Sequence, residues 1–153
     1  MNKKRINREL LFVLTSGAVC FAFMAFLVMV FPAVRLSLGN YKVTGIEAVF
    51  GGEVQGIKFN FNLLSFIGYM LAFVVVITSI LAYKNTTIIF DIITIALTVI
   101  VGVLIALEPV LFRSVNQIVS EIKISYLIGP ILGMIFSVIS LIFSISCIRL
   151  KLN

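Results

Sequence analysis

The chain of 153 residues is 61% hydrophobic and only 12% charged, with a mean hydropathy of +1.23. A soluble domain carries about 45–50% apolar residues and roughly twice this charged fraction, so a chain this apolar has too little polar surface to face water and is expected in a membrane. Its net charge of +6 is no nucleic-acid footprint, because the basic residues flank apolar runs, where they set membrane orientation and attract anionic headgroups.

The first apolar run, residues 10–31 (LLFVLTSGAVCFAFMAFLVMVF), follows Lys3, Lys4, Arg5 and Arg8. It is far longer than the apolar region of a secretory leader. Its GAVC resembles a lipoprotein cleavage box, but Val19 stands where a small residue belongs and apolar residues continue past Cys20. An uncleaved span is expected. Three further runs, 63–83, 87–107 and 126–148, each approach the ~20 residues that cross about 30 Å of hydrocarbon as an α-helix. The expected fold class is a mainly α membrane protein, a single four-transmembrane-helix bundle over residues 1–153.

Between the first two spans, residues 32–62, the period changes from helical to alternating. Val34, Leu36 and Leu38 alternate with Arg35 and Ser37, and Tyr41 and Val43 alternate with Lys42 and Thr44. Gly39-Asn40 between them is a two-residue hairpin signal that pairs Leu38 with Tyr41 and Leu36 with Val43. In IKFNFNL, Ile57, Phe59, Phe61 and Leu63 alternate with polar residues and predict another strand. The intervening GIEAVFGG reads as either a second hairpin arm or one helical turn. A small antiparallel β-sheet in the extracellular first loop follows, with its apolar face over the helix ends. Such a sheet either caps the bundle or recognises a neighbour through its free edge or outer face; the partner-binding candidates are Leu36, Leu38, Tyr41, Lys42 and Val43.

The outer connection 108–125 is amphipathic at helical spacing. Arg113, Asn116, Gln117, Ser120 and Glu121 oppose Leu111, Val115, Ile118, Val119 and Ile122. It predicts an interfacial helix or an extension of the third span; its end, IKISY, alternates and offers a further strand. Seven basic residues lie in the terminal tails and the 84–86 connection, against five in the two outer connections. With four of them in the N-terminal tail, both termini are expected in the cytoplasm of a multi-pass cell-membrane protein.

In the last span Ser125, Gly129, Gly133, Ser137, Ser140 and Ser144 recur every three or four residues, and GPILG is a G-x-x-x-G. Small residues let helix backbones approach closely in lipid, which makes Gly129, Gly133, Ser137, Ser140 and Ser144 helix-packing candidates. Packing within the chain, packing between protomers and a serine-lined path all fit this stripe. Asp91 is the intramembrane acid and a functional candidate on that ground. It also lies within two turns of the cytoplasmic connection, within reach of Lys84 or a C-terminal base, and suits a helix start. Glu108, before Pro109, marks the outer end of the third span. Cys20 and Cys147 differ in depth by on the order of 10–15 Å, beyond the ~7 Å a disulfide tolerates, and read as buried free thiols.

The chain has no histidine, hence neither the commonest general base nor the commonest metal ligand. No paired carboxylates, metal-ligand spacing or nucleophile–base set is present, and FGGEVQG lacks the Lys-Ser/Thr of a phosphate loop. No catalytic, cofactor or metal site is expected; the chain reads as a non-enzyme.

The layout resembles that of claudin-like four-span membrane proteins: cytoplasmic ends, a β-rich first extracellular segment and a shorter second one. The claudin signature of a Gly-Leu-Trp and two extracellular cysteines is absent, so sealing and ion-selective junctions are not implied. The Ile- and Phe-rich composition with TGIEAVFGG is similar to small four-span proteins of low-GC bacteria. The expected function is protein–protein interaction or self-association through the outer β-rich loop, with membrane lipids, a second copy or another membrane or extracellular protein as partners and no nucleic acid. The alternatives are an oligomeric channel or transporter and an immunity-type membrane protein.

Overall fold

A computed structural model describes residues 3–37, 40–54, 57–85, 87–116 and 123–152 of the protein. The apolar runs form α1 (Lys3–Leu27), α3 (Leu63–Lys84), α4 (Ile89–Ala106) and α6 (Ile128–Leu152). Four helical segments, Arg8–Val30, Leu63–Lys84, Ile89–Ala106 and Ile128–Leu152, are long and apolar enough to cross a membrane. A short 3₁₀ turn, Val28–Val30, completes the first. Pro130 falls in the first turn of α6, where its missing N–H costs no helical bond.

The helices close into a ring in the order α1, α3, α4, α6. Its interior is rich in small side chains, Ala18, Ala22 and Ala25 on α1, Ala72 on α3, and Gly133, Ser137 and Ser140 on α6, packed around a few larger ones, Tyr69, Val75, Val101 and Ile105. Its exterior carries large ones, including Phe12, Phe23, Phe73, Ile77, Ile92 and Ile142. This distribution reverses that of a water-soluble bundle and suits helices that pack by close backbone approach within an apolar solvent.

The described parts of the α1–α3 and α4–α6 connections gather at one end. Strand β1 (Pro32–Leu36) lies between β2 (Tyr41–Thr44) and β5 (Ile124–Tyr126), both antiparallel to it. The third strand is the one that IKISY offered. Leu36 pairs with Tyr41 and Val34 with Val43, two residues away from the register expected from a Gly39-Asn40 turn. The competing force is β5: Ser37 N–H donates to the Lys123 carbonyl at 3.0 Å and the Lys123 N–H to Ser37 Oγ at 3.0 Å, which engages Ser37 outside the hairpin. Because the shift is two residues, each side chain keeps its face. Leu38 and Gly39 lie outside the described residues.

GIEAVF forms a helix, α2 (Gly45–Phe50), and not a hairpin arm. Thr44 and Glu47 make a capping box, with Glu47 N–H donating to Thr44 Oγ1 at 3.2 Å and Thr44 N–H to Glu47 Oε2 at 2.8 Å. The T-x-x-E spacing was visible in the sequence and is the stronger local signal. Gly51 then takes φ 78°, where a Cβ would collide with the Phe59 carbonyl oxygen. IKFNFNL yields only β4 (Ile57–Phe59), which pairs with β3 (Gly52–Val54) as a separate hairpin. Asn60 and Phe61 are irregular, and Leu63 opens α3, where Asn62 is the cap: its Oδ1 accepts from Ser65 N–H at 3.2 Å.

The connection after α4 contains α5 (Glu108–Val115); 117–122, including Gln117, Ile118, Val119, Ser120, Glu121 and Ile122, lies outside the described residues. Its buried side is Glu108, Pro109 and Phe112, with Leu111 and Val115 half-buried and Arg113 exposed. Phe112 meets Phe59 at a ring separation of 5.1 Å and joins Ala33, Val34, Leu36, Val43 and Ala48 in a second core beneath the sheet. Cys20 is exposed on the apolar exterior, contrary to the buried position expected, whereas Cys147 is buried; neither forms a disulfide.

Candidate functional site

The β1 alternation decides what the sheet shows. Val34 and Leu36 point inward, as does Val43 opposite them, so Leu36 (3% exposed) and Val43 (0%) belong to the cap's own core and not to a free surface. Of the expected partner-binding residues, Tyr41 is half-buried and Lys42 exposed; Leu38 lies outside the described residues. The solvent face carries Arg35, directly opposite Lys42 on one side and Ser125 on the other, all three exposed. Ser37 and Lys123, also exposed, continue the same face one pair further along. Arg35 and Lys123 were not among the sequence candidates, although Arg35 sits between two inward apolar residues and is placed outward by period alone.

Glu47 lies beside this face but is already engaged. Besides the two capping contacts, its Oε2 accepts from the Thr44 hydroxyl at 3.0 Å, and its Oε1 accepts from the Tyr41 hydroxyl at 3.4 Å. The Glu47 charge above all, then desolvation and the hydrogen bond, push the Tyr41 phenol above its usual range.

Beneath the cap lies a buried polar cluster. Asn62, Ser65 and Tyr69 occupy one face of α3 at i, i+3 and i+7 and are all buried. Tyr69 donates to Glu108 Oε2 at 2.7 Å, and Glu108 is 0% exposed. Burial lifts the Glu108 carboxyl from the ordinary 4.5 to about 7, against the Tyr69 hydrogen bond, which favours the ionised form. Asn62 Nδ2, Ser65 Oγ and Glu108 Oε1 have no hydrogen-bond partner among the described residues. The span-end role expected for Glu108 therefore understates it. The signal that would have found it, an acid paired to a tyrosine 39 residues away, exists only in three dimensions. Gly45 seats α2 against this cluster: a Cβ there would come within 3.0 Å of the Tyr69 hydroxyl oxygen and 2.7 Å of the Met29 carbonyl oxygen.

At the opposite end, Asp91 is buried (4% exposed) and bound by Lys151 at 2.6 Å. Lys151 Nζ also donates to the Ala82 carbonyl at 2.7 Å and the Asn85 carbonyl at 3.4 Å. The end of α6 is thereby tied to both sides of the α3–α4 turn. A cavity of about 10 Å³ adjoins Asp91, with Thr15, Ser79, Thr94, Ser144 and Cys147 in its walls, room for about one water molecule.

The α6 stripe faces the same chain. A Cβ on Gly129 would lie 2.9 Å from the Pro32 carbonyl oxygen, and one on Gly133 would lie 2.5 Å from Ile105 Cγ2. Ser140 donates to the Ala18 carbonyl of α1 at 2.9 Å. Ser137 and Ser144 instead donate to carbonyls one turn back in α6, those of Gly133 and Ser140, as Ser79, Thr94 and Thr98 do in their own helices. Among the described residues no three His, Cys, Asp or Glu side chains are grouped to hold a metal ion.

No protein-family model, no curated protein and no solved structure matches this chain. The geometry of these three places is thus what bears on function.

Proposed function

We propose that this is a non-enzymatic multi-pass protein of the cell membrane, with both termini in the cytoplasm, and that its extracellular cap binds another protein or a second copy of itself. Four apolar helices with many large apolar residues outside and an interior rich in small ones support the membrane setting. Lys3, Lys4, Arg5, Arg8, Lys84, Arg149 and Lys151 at the terminal end support the orientation. On this reading the layout resembles that of claudin-like four-span proteins, without the residues of their junctional role.

The observation that carries the reading is the Arg35–Lys42 pair. Like charges directly opposite on a sheet face are destabilising, and closing the bundle does not require them, because the inward residues already fill the second core. A polar sheet face with edge strands β2 and β5 is a surface suited to contact. The hydroxyls of Ser137, Ser144, Thr94 and Thr98, which donate to carbonyls of their own helices, favour this reading over a serine-lined pore.

The test is crosslinking in intact cells from Ser125→Cys, an exposed position on the same face, in a chain carrying Cys20→Ala and Cys147→Ala. A specific crosslinked species, identified by mass spectrometry, is expected. Efficient labelling by a membrane-impermeant thiol reagent with no crosslinked species would reduce the sheet to a cap.

A further inference from the structure

We infer that the outward face of the β2–β1–β5 sheet, centred on Arg35 and flanked by Lys42 and Lys123, docks an extended acidic segment of a protein partner. The inference rests on the reading that the cap binds a protein, and it names the chemistry of the contact.

The first argument is charge. The chain has six acidic residues, and the five that are described are placed elsewhere. Glu9 is in the first turns of α1, and Glu47 is engaged by Thr44 and Tyr41. Glu53 stands across from Lys58 in the β3–β4 hairpin, Asp91 is bound by Lys151, and Glu108 is buried against Tyr69. Glu121 lies outside the described residues. Arg35 and Lys42 are thus two exposed cations in direct cross-strand register with no carboxylate of the described chain opposite them. Only an anionic occupant turns this repulsion into attraction.

The second argument is spacing. Residues directly opposite in an antiparallel sheet have Cβ atoms about 5 Å apart, and diagonal neighbours about 7–8 Å. Lys42 and Arg35 form the first kind of pair and Arg35 and Lys123 the second, the latter through the Ser37–Lys123 backbone bond. In an extended chain, residues i and i+2 project to one side about 6.6 Å apart. Carboxylates at alternate positions of an extended segment lying across the three strands therefore meet successive cations.

The third argument is reach, and it favours a partner from the aqueous side over the headgroups of the protein's own membrane. The Pro32 carbonyl packs on Gly129 at the start of α6. Arg35 and Ser37 lie three and five positions further along the chain, up to about 10 and 17 Å at the strand rise. The headgroup layer on one side of a bilayer is only roughly 5–8 Å thick.

The experiment uses the full chain in nanodiscs of zwitterionic lipid and a fluorescent peptide of alternating Glu and Thr, with a Gln-Thr peptide as control. Binding of the acidic peptide alone is expected, weakening as salt shortens the Debye length from about 10 Å at 0.1 M to about 3 Å at 1 M. Arg35→Gln should weaken it roughly tenfold, and Arg35→Gln/Lys42→Gln/Lys123→Gln should abolish it with an unchanged circular dichroism spectrum. Equal binding of both peptides, or full binding to the triple variant, would overturn the inference. So would failure of the acidic peptide to bind while polyphosphate or phosphatidylglycerol vesicles bind through the same residues. Crosslinking from Ser125→Cys separates the two claims. A cellular species that survives Arg35→Gln/Lys123→Gln and high salt keeps the protein-binding reading and removes the acidic one. Peptide binding without any cellular species removes the protein-binding reading and the inference that rests on it.

Discussion

Glu108→Gln isolates the electrostatics of the buried cluster. In the folded chain the carboxyl is raised from the ordinary 4.5 to about 7, so folding raises its proton affinity. Stability from this group is fully present below about pH 4.5 and is lost as pH rises through about 7. The span of about 2.5 units corresponds to on the order of 3 kcal/mol at ~1.4 kcal/mol per unit. The amide of Gln keeps an oxygen to accept the Tyr69 hydroxyl but cannot ionise. Thermal denaturation in mild detergent, followed by circular dichroism from pH 5 to 7.5, should therefore show the native chain losing much of that stability. The Glu108→Gln chain should stay nearly flat. The window is clean because the chain has no histidine, the side chain that ordinarily titrates there. Parallel pH profiles for the two chains would refute the assignment of a buried, proton-retaining carboxyl.

Lys151→Met should destabilise the bundle by on the order of 3 kcal/mol, because it strands the buried Asp91. Asp91→Asn added to it should restore most of the loss, and absence of rescue in the same melting assay would remove the ion pair as the cause. Gly133→Ala places a methyl against Ile105 and should cost about 1–3 kcal/mol, whereas Gly52→Ala, with nothing within 4 Å of the added Cβ, should leave the melting temperature unchanged. Thr44→Ala removes the side-chain half of the α2 capping box and should cost ~1 kcal/mol. It should also raise hydrogen exchange at the Glu47 amide; unchanged exchange there would count against the cap.

What was legible in the sequence is what local chemistry decides alone. A run of about 20 apolar residues has one low-energy solution in a membrane, a helix that satisfies its own backbone, so the four long helices follow from composition. Strict alternation likewise placed Arg35 and Lys42 on one face and Val34, Leu36 and Val43 on the other, and a two-residue slip in register left those faces intact. The α2 capping box is equally local, and its T-x-x-E spacing decides between the two readings of GIEAVFGG that alternation left open.

Tertiary structure decided everything that depends on which surfaces meet. Two registers of β1 against β2 satisfy the same alternation, and β5, reached across more than 80 residues of chain, favours one of them through Ser37 and Lys123. Lys84 and the C-terminal bases are the candidates to reach Asp91, and the packing of α6 against the α3–α4 turn selects Lys151. Leu36 and Val43 became core because Phe59 and Phe112 arrive beneath them, which leaves the cations as the face shown to solvent. Glu108 is an ordinary acid at a helix start until α3 brings Tyr69 to it and the cap covers both. Hydropathy and period are properties of neighbouring residues, but burial and charge pairing are properties of the assembled interior.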